Sequence, residues 1–130
     1  MRLIREFMAA LQLLLEGKDL EHRREELKKL YEQYIGPYEL YHNATIDVAM
    51  CALASYDEGQ RLERMEMLAE LYYAEADTVT GPDRNFLLDK AFNLFSFIER
   101  NGKTFSMDRR YKMALIEQRL KKCSGKTRCE

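Results

Sequence analysis

The sequence contains little proline, little cysteine and no framework of paired cysteines. Its 130 residues include two prolines and three cysteines. Because prolines are so few, and because Leu, Glu, Lys, Arg, Met and Ala are abundant, the composition predicts a helical protein. An odd number of cysteines at irregular spacings favours a reducing compartment over a disulfide-stabilised domain. We therefore expect a cytoplasmic protein.

Long apolar runs are also missing. No stretch approaches the roughly 20 apolar residues that span a bilayer. The first residues, MRLIREFMAALQLLLEG, are apolar enough to suggest a signal peptide, but charged and amide side chains interrupt them and no small-residue cleavage site follows. This segment is typical of an amphipathic first helix, and the sequence predicts no membrane partner.

Motifs that carry catalysis or bind cofactors are absent from the sequence. It contains no nucleophile elbow, no P-loop and no glycine-rich phosphate cradle. The spacings of His22 and His42 to cysteines and carboxylates do not indicate a metal site, and Cys123 and Cys129 have no second pair. The sequence therefore predicts no catalytic residue, no metal and no cofactor, although an enzyme remains one alternative.

Helical periodicity is what the chain has in abundance. Apolar residues recur at i, i+3, i+4 and i+7, and glycine, proline or a capping residue separates the periodic segments. The predicted helices cover about Arg2–Glu16, 19–35, Ile46–Ala54, Gln60–Thr80, Asp83–Asn101 and 106–122. Residues 38–44 form a tyrosine-rich connector. We expect an all-α fold of about six helices in antiparallel hairpins, with residues 1–122 as one domain and 123–130 as a disordered tail.

Two helices in the second half of the chain resemble a tetratricopeptide repeat. Met65, Leu68-Ala69 and Tyr72 resemble its first half, and Ala91 with Phe95 resembles its second half, although the hairpin here is longer. In such repeats small residues let two helices approach closely and large residues fill the space between them. The resemblance implies a tetratricopeptide-like bundle with Leu68, Tyr72, Ala91 and Phe95 in its core.

Almost the whole chain also resembles a family of small bacterial all-helical proteins that is classified only as a domain of unknown function. The resembling stretches are LIREFMAALQLLLEGKD, LYEQYIG, RMEMLAELYYAEAD and KTFSMDRR. This resemblance implies a bacterial, all-helical protein, and it implies no activity or site.

Acidic and aromatic residues form two further patterns. Glu63, Glu66, Glu70, Glu75 and Asp77 lie along the fourth predicted helix. No histidine follows any of them at the Glu-x-x-His spacing, so we interpret them as surface charge. Tyrosines recur at positions 31, 34, 38 and 41, which favours packing in the core and between hairpins. A partner-facing aromatic patch is the alternative.

Charge is distributed unevenly along the chain. Residues 1–99 carry 11 basic and 19 acidic side chains, whereas residues 100–130 carry 10 basic and 3 acidic ones. Arg109, Arg110, Lys112 and Arg119 place much of the positive charge on the sixth helix, as a predicted interaction surface. Three interpretations stay open: a solvated face, docking on the acidic helix of the same chain or of a second subunit, and nucleic-acid binding.

The fifth predicted helix is apolar on most sides, which is typical of a helix inside a bundle or against a partner. We therefore predict a non-enzymatic helical module that binds protein and associates with itself through helix faces. The alternative is a nucleic-acid-associated accessory protein that uses the basic C-terminal helix.

Overall fold

The computed structural model describes residues 2–17, 19–102 and 106–129, and within these ranges it contains seven helices and no strand. The predicted all-α fold is therefore confirmed. In chain order the helices are α1 (Arg2–Leu15), α2 (Leu20–Tyr34), α3 (Tyr38–Asn43), α4 (Ile46–Leu53), α5 (Glu58–Ala76), α6 (Gly81–Asn101) and α7 (Met107–Cys129). None of the described helices combines the length and apolarity needed to cross a bilayer.

Capping side chains set the starts of three helices. The side-chain oxygens of Asp19, Thr45 and Ser106 each accept a hydrogen bond from a backbone N–H in the first turn of α2, α4 and α7. A capping side chain satisfies one of the donors that a helix start leaves without an internal partner. These three boundaries agree with the sequence prediction.

The hairpin of α5 and α6 forms the centre of the fold. The α1–α2 hairpin packs against α5, α7 packs against α6, and the short helix α4 touches both central helices. Leu68 and Tyr72 of α5 and Ala91 and Phe95 of α6 are all completely buried. All four therefore belong to the hydrophobic core.

Two boundaries differ from the sequence prediction. Residues 38–44, which we expected to form a connector, contain the helix α3. Pro37 cannot continue the preceding helix, but it fits immediately before a new one. Glu39 in the first turn of α3 also favours a helix start. The last helix continues to Cys129 and not to about Lys122. No proline stops it there, and its single glycine costs a helix only about 1 kcal/mol. Glu130, the last residue of the predicted tail, lies outside the described residues.

The apolar surface of α6 is mostly covered within the chain. Its buried apolar side chains are Leu87, Leu88, Ala91, Leu94, Phe95 and Ile98. Phe86 is the large apolar side chain of α6 that remains exposed. Helices α4, α5 and α7 therefore cover most of the apolar surface of α6. This surface was the reason for predicting self-association.

Candidate functional site

The basic end of the chain packs against acidic residues of the same molecule. Arg109 is only 1% exposed, and its Nε donates to Oε2 of Glu99 at 2.6 Å. Its Nη1 lies 3.7 Å from Oε2 of Glu66. Lys112 Nζ lies 2.6 Å from Oε1 of Glu70. Ion pairs therefore attach α7 to both α5 and α6.

The predicted basic interaction surface is wrong for Arg109 and Lys112. Both side chains are turned into the fold, because the carboxylates of α5 and α6 compensate charges that would otherwise be costly to bury. Arg110 and Arg119 remain partly exposed and lie 3.0 Å and 3.3 Å from carboxylates of the same chain. Of the interpretations left open by the sequence, docking on the acidic helix of the same chain describes this geometry.

The acidic residues of α5 are not all on the surface, so that interpretation is wrong for Glu70 and Glu75. Both are buried, with 3% and 4% of the residue exposed. Burial raises the pKa of Glu70, and the neighbouring Lys112 ammonium acts in the opposite direction. Burial likewise raises the pKa of Glu66. Glu66 and Glu70 therefore form part of the packing of α5 with α7.

Replacing Arg109 by alanine should lower the free energy of unfolding by about 2 kcal/mol, because Glu99 and Glu66 would lose a buried cation. Both carboxylates keep some access to water, which limits the loss. Arg110→Ala is the matched control: it pairs with the same Glu99, but its side chain is 61% exposed. That change should stay within about 0.5 kcal/mol. Equal effects in urea denaturation would contradict the buried role of Arg109.

A second polar cluster surrounds the Glu75 carboxylate, and we call it the Glu75 centre. The Tyr31 hydroxyl donates to Oε1 at 2.6 Å, and the Tyr38 hydroxyl donates to Oε2 at 2.5 Å. His42 Nδ1 lies 2.7 Å from Oε2, and its ring stacks on Tyr38 with 4.9 Å between the centroids. Burial raises the pKa of the Tyr31 and Tyr38 hydroxyls well above 10, and the adjacent Glu75 adds to the shift. One carboxylate thus joins α2, α3 and α5.

Lys90 of α6 holds the other side of α3. Its Nζ donates to the carbonyl oxygens of Tyr41, His42 and Ala44 at 3.2, 3.0 and 2.8 Å, and lies 4.3 Å from the centroid of the Tyr72 ring. Carbonyls at a helix end have no partner within the helix, so this buried ammonium caps α3. Burial lowers the pKa of Lys90 to about 8.

Sequence reasoning missed both arrangements around α3. The sequence feature that could have revealed them is the series of tyrosines at positions 31, 34, 38 and 41. Three of these, Tyr31, Tyr34 and Tyr41, are buried, as the packing interpretation predicts. Buried hydroxyls require acceptors, which pointed to a nearby buried carboxylate. A carboxylate that orients an imidazole also occurs in general-base catalysis. Here the contacts of Glu75 join three helices of one chain, so we interpret the centre as a structural joint.

An open groove lies between α1 and α7, with α5 as its floor. Its volume is about 510 Å³. The residues that line this groove, called the α1–α7 groove below, are Met8, Leu11, Gln12, Leu15, Glu16, Glu70, Tyr73, Ala74, Asp108 and Lys112. Its walls and floor are mainly apolar, and the ion pair of Glu70 with Lys112 interrupts them.

The comparisons with known proteins add no assignment. No family model, curated protein or solved structure matches the chain. The described residues contain no group of three or more His, Cys, Asp or Glu side chains that could hold a metal ion. The resemblances to the tetratricopeptide repeat and to the bacterial family stay interpretations, and any functional assignment depends on the geometry above.

Proposed function

We propose that this protein is a non-enzymatic interaction module that binds an amphipathic helix of another protein chain in the α1–α7 groove. The observation that carries the proposal is an apolar groove whose two walls are helices and whose floor is a third. Helix-in-groove recognition uses apolar anchors about one turn apart, which pack into a groove of this kind. Met8, Leu11 and Leu15 supply the corresponding apolar wall on α1.

The two wall helices also carry exposed apolar side chains. Leu13 of α1 is 72% exposed and Met107 of α7 is 76% exposed. Leu15 and Tyr111, on the same two helices, are also exposed. Of these four residues Leu15 lines the groove, and the other three add apolar surface elsewhere on its wall helices.

The length of the wall suits a helical occupant. Helix α1 has 14 residues, which correspond to about 21 Å at 1.5 Å per residue. A helix lying along it could present anchors at positions i, i+3 or i+4, and i+7. Such an occupant would satisfy its own backbone hydrogen bonds, so the apolar groove would only have to receive side chains.

A separate chain suits the groove better than a second copy of this protein. The helices with the most exposed apolar residues, α1 and α7, already serve as walls, and the remaining apolar face of α6 is buried. Self-association stays part of the test: if a second copy fills the groove, the protein sediments as a dimer and a groove substitution dissociates it.

The alternatives have less support. Nucleic-acid binding required an exposed basic helix, and the Arg109 and Lys112 charges are paired within the chain. An enzyme would need a substrate site beside an activated group. A cavity of about 210 Å³ does border Tyr38, His42 and Glu75, but the contacts of the Glu75 carboxylate are with helices of one fold. Neither alternative has an observation that favours it over the groove.

The groove substitution Leu15→Gln should weaken binding of a designed helix by about three- to tenfold, because a half-buried leucine contributes roughly 1 kcal/mol to an apolar contact. The probe is a fluorescent peptide of about 18 residues, five helical turns, with leucines on one face and alanine and glutamine elsewhere. Leu40→Gln is the matched control, since Leu40 has similar exposure, 43% against 38%, but lies on α3. Fluorescence anisotropy measures both affinities. Equal loss in the two variants would refute docking in the groove.

A further inference from the structure

The cavity beside the Glu75 centre lies between α2, α3, α5 and the residues that directly follow α5. Its volume of about 210 Å³ is below the roughly 300 Å³ at which pockets for drug-sized molecules begin. The residues that line this cavity, called the α2–α3 cavity below, are Arg24, Leu27, Lys28, Tyr38, His42, Glu75, Thr78 and Val79. A space of this size suits a small ion or molecule and not a segment of another chain.

Two cations of α2 are held at the wall of the α2–α3 cavity. Arg24 Nη2 donates to the carbonyl oxygen of Thr78 at 2.5 Å, and Lys28 Nζ lies 5.4 Å from the centroid of the Tyr38 ring. Thr78 and Tyr38 both line the cavity, so these contacts place the guanidinium and the ammonium beside it. Arg24 and Lys28 are exposed, and a ligand can therefore reach them from solvent.

The positive charge of these two side chains has no counterion within the described part of the chain. Neither Arg24 nor Lys28 forms an ion pair with a described residue, whereas Lys29 of the same helix pairs with Glu26. Arg24 and Lys28 are also one helical turn apart, and like charges at that spacing repel each other. A bound anion would remove this repulsion.

The single carboxylate of the lining is engaged by its own neighbours. Oε1 of Glu75 accepts a hydrogen bond from the Tyr31 hydroxyl, and Oε2 accepts one from the Tyr38 hydroxyl and contacts His42 Nδ1. Even with His42 neutral, the lining has two cations and one carboxylate. It therefore has an excess of positive charge, which favours a negatively charged ligand.

We propose that Arg24 and Lys28 bind a phosphate group in the α2–α3 cavity, either that of inorganic phosphate or that of a small phosphate ester. A guanidinium presents several N–H donors in a plane that matches phosphate oxygens, and an ammonium binds phosphate as a compact charge. Two cations suit the charge of a phosphate group near neutral pH, about −1.5 to −2, better than the single charge of a carboxylate. This site shares no lining residue with the α1–α7 groove, so neither proposal depends on the other.

Titration of the full chain with sodium phosphate, followed by NMR of its backbone amides, tests the site. The buffer contains no other phosphate, and chloride holds the ionic strength constant so that general screening does not change. Saturable shifts should appear at the amides of Tyr38, Thr78 and Val79, with a dissociation constant of about 1 mM or tighter. Methyl phosphate tests whether an ester fits, and acetate should bind at least about tenfold more weakly than phosphate.

Variants assign the binding to the two cations. Arg24→Gln/Lys28→Gln should weaken phosphate binding at least about tenfold. Lys28→Gln alone should weaken it at least about threefold, and it keeps the hydrogen bond of Arg24 to Thr78, so it provides the test even if the double variant is unfolded. The matched control, Lys29→Gln/Lys121→Gln, removes the same charge from exposed positions outside the cavity and should keep the wild-type affinity. Thermal melting by circular dichroism checks that each variant is folded.

Four outcomes decide the proposal. Saturable binding that the cation variants lose and the control keeps supports the site, and the tighter of phosphate and methyl phosphate then identifies the source of the group. No saturable shift at a phosphate concentration of about 10 mM, ten times the expected dissociation constant, overturns the proposal. Binding that persists in the cation variants overturns it as well, because the phosphate then binds elsewhere. Acetate binding as tight as phosphate binding overturns the assignment of the ligand.

Discussion

Replacing Glu75 by alanine should lower the free energy of unfolding by about 3–5 kcal/mol, the range found when one partner of a buried charged network is removed. The carboxylate accepts hydrogen bonds from Tyr31 and Tyr38 and contacts His42, all within 2.7 Å. Without it, the buried Tyr31 hydroxyl, the half-buried Tyr38 hydroxyl and an imidazole N–H would lose their acceptor, and each unsatisfied group that is buried adds about 1–3 kcal/mol to the cost. Urea denaturation followed by circular dichroism measures the change.

Asp77→Ala provides a matched control for this prediction. Asp77 directly follows the same helix and forms an ion pair with Arg119, but its side chain is 47% exposed. Exposed ion pairs contribute only about 0–1 kcal/mol, so this substitution should have a small effect. A loss below about 1 kcal/mol for Glu75→Ala, comparable with the control, would show that the hydroxyls find other acceptors.

Partial removal of the Glu75 centre should give a graded result. Tyr38→Phe keeps the stacked ring beside His42 but removes one donor to the carboxylate, which corresponds to about 1.5–3 kcal/mol for a hydrogen bond to a charged group. Its effect should therefore be smaller than that of Glu75→Ala. The size of the Tyr38→Phe effect tests the role of the hydrogen bond. If Glu75 acted only by filling space, Tyr38→Phe would have nearly the same free energy of unfolding as the wild type.

Helical periodicity made most of the fold predictable. The seam of Leu68 and Tyr72 and the pair Ala91 and Phe95 are all completely buried, because positions one turn apart on a helix share a face. The short helix α3 could not be predicted in the same way. Six residues give too few turns for a period, and its position depends on Lys90 and Glu75, which lie more than thirty residues away in sequence.

The sites were less predictable than the fold, and the reason is long-range pairing. The sequence shows an acidic helix and a basic helix, but not that Lys112 meets Glu70, 42 residues earlier, inside the fold. Average propensity places glutamate on the surface, so burial of Glu70 and Glu75 is visible only once their partners are known. The α1–α7 groove likewise depends on how far apart two helices lie on a third, which no local pattern specifies.

Replacing Lys90 by methionine should lower the free energy of unfolding by about 3 kcal/mol at pH 7, because the carbonyls of Tyr41, His42 and Ala44 would lose a shared charged donor. Methionine preserves most of the buried stem, so the loss reports the hydrogen bonds and not a cavity. The exposed residue Lys121, replaced in the same way, should leave stability within about 0.5 kcal/mol of wild type.

The same substitution should change how stability depends on pH. Burial lowers the pKa of Lys90 to about 8 from 10.5, so between these values the unfolded chain binds more protons than the folded one. The free energy of unfolding of the wild type should therefore rise from pH 8 towards pH 10, by up to about 3 kcal/mol at 1.36 kcal/mol per pKa unit. Above pH 10 the free energy of unfolding should fall, because Tyr31 and Tyr38 stay protonated only in the folded state.

In Lys90→Met the rise in unfolding free energy between pH 8 and pH 10 should be absent, and the fall above pH 10 should remain. Urea denaturation across this pH range measures both. A rise that persists in Lys90→Met would mean that another buried group titrates there and that the ammonium beneath α3 keeps its ordinary pKa.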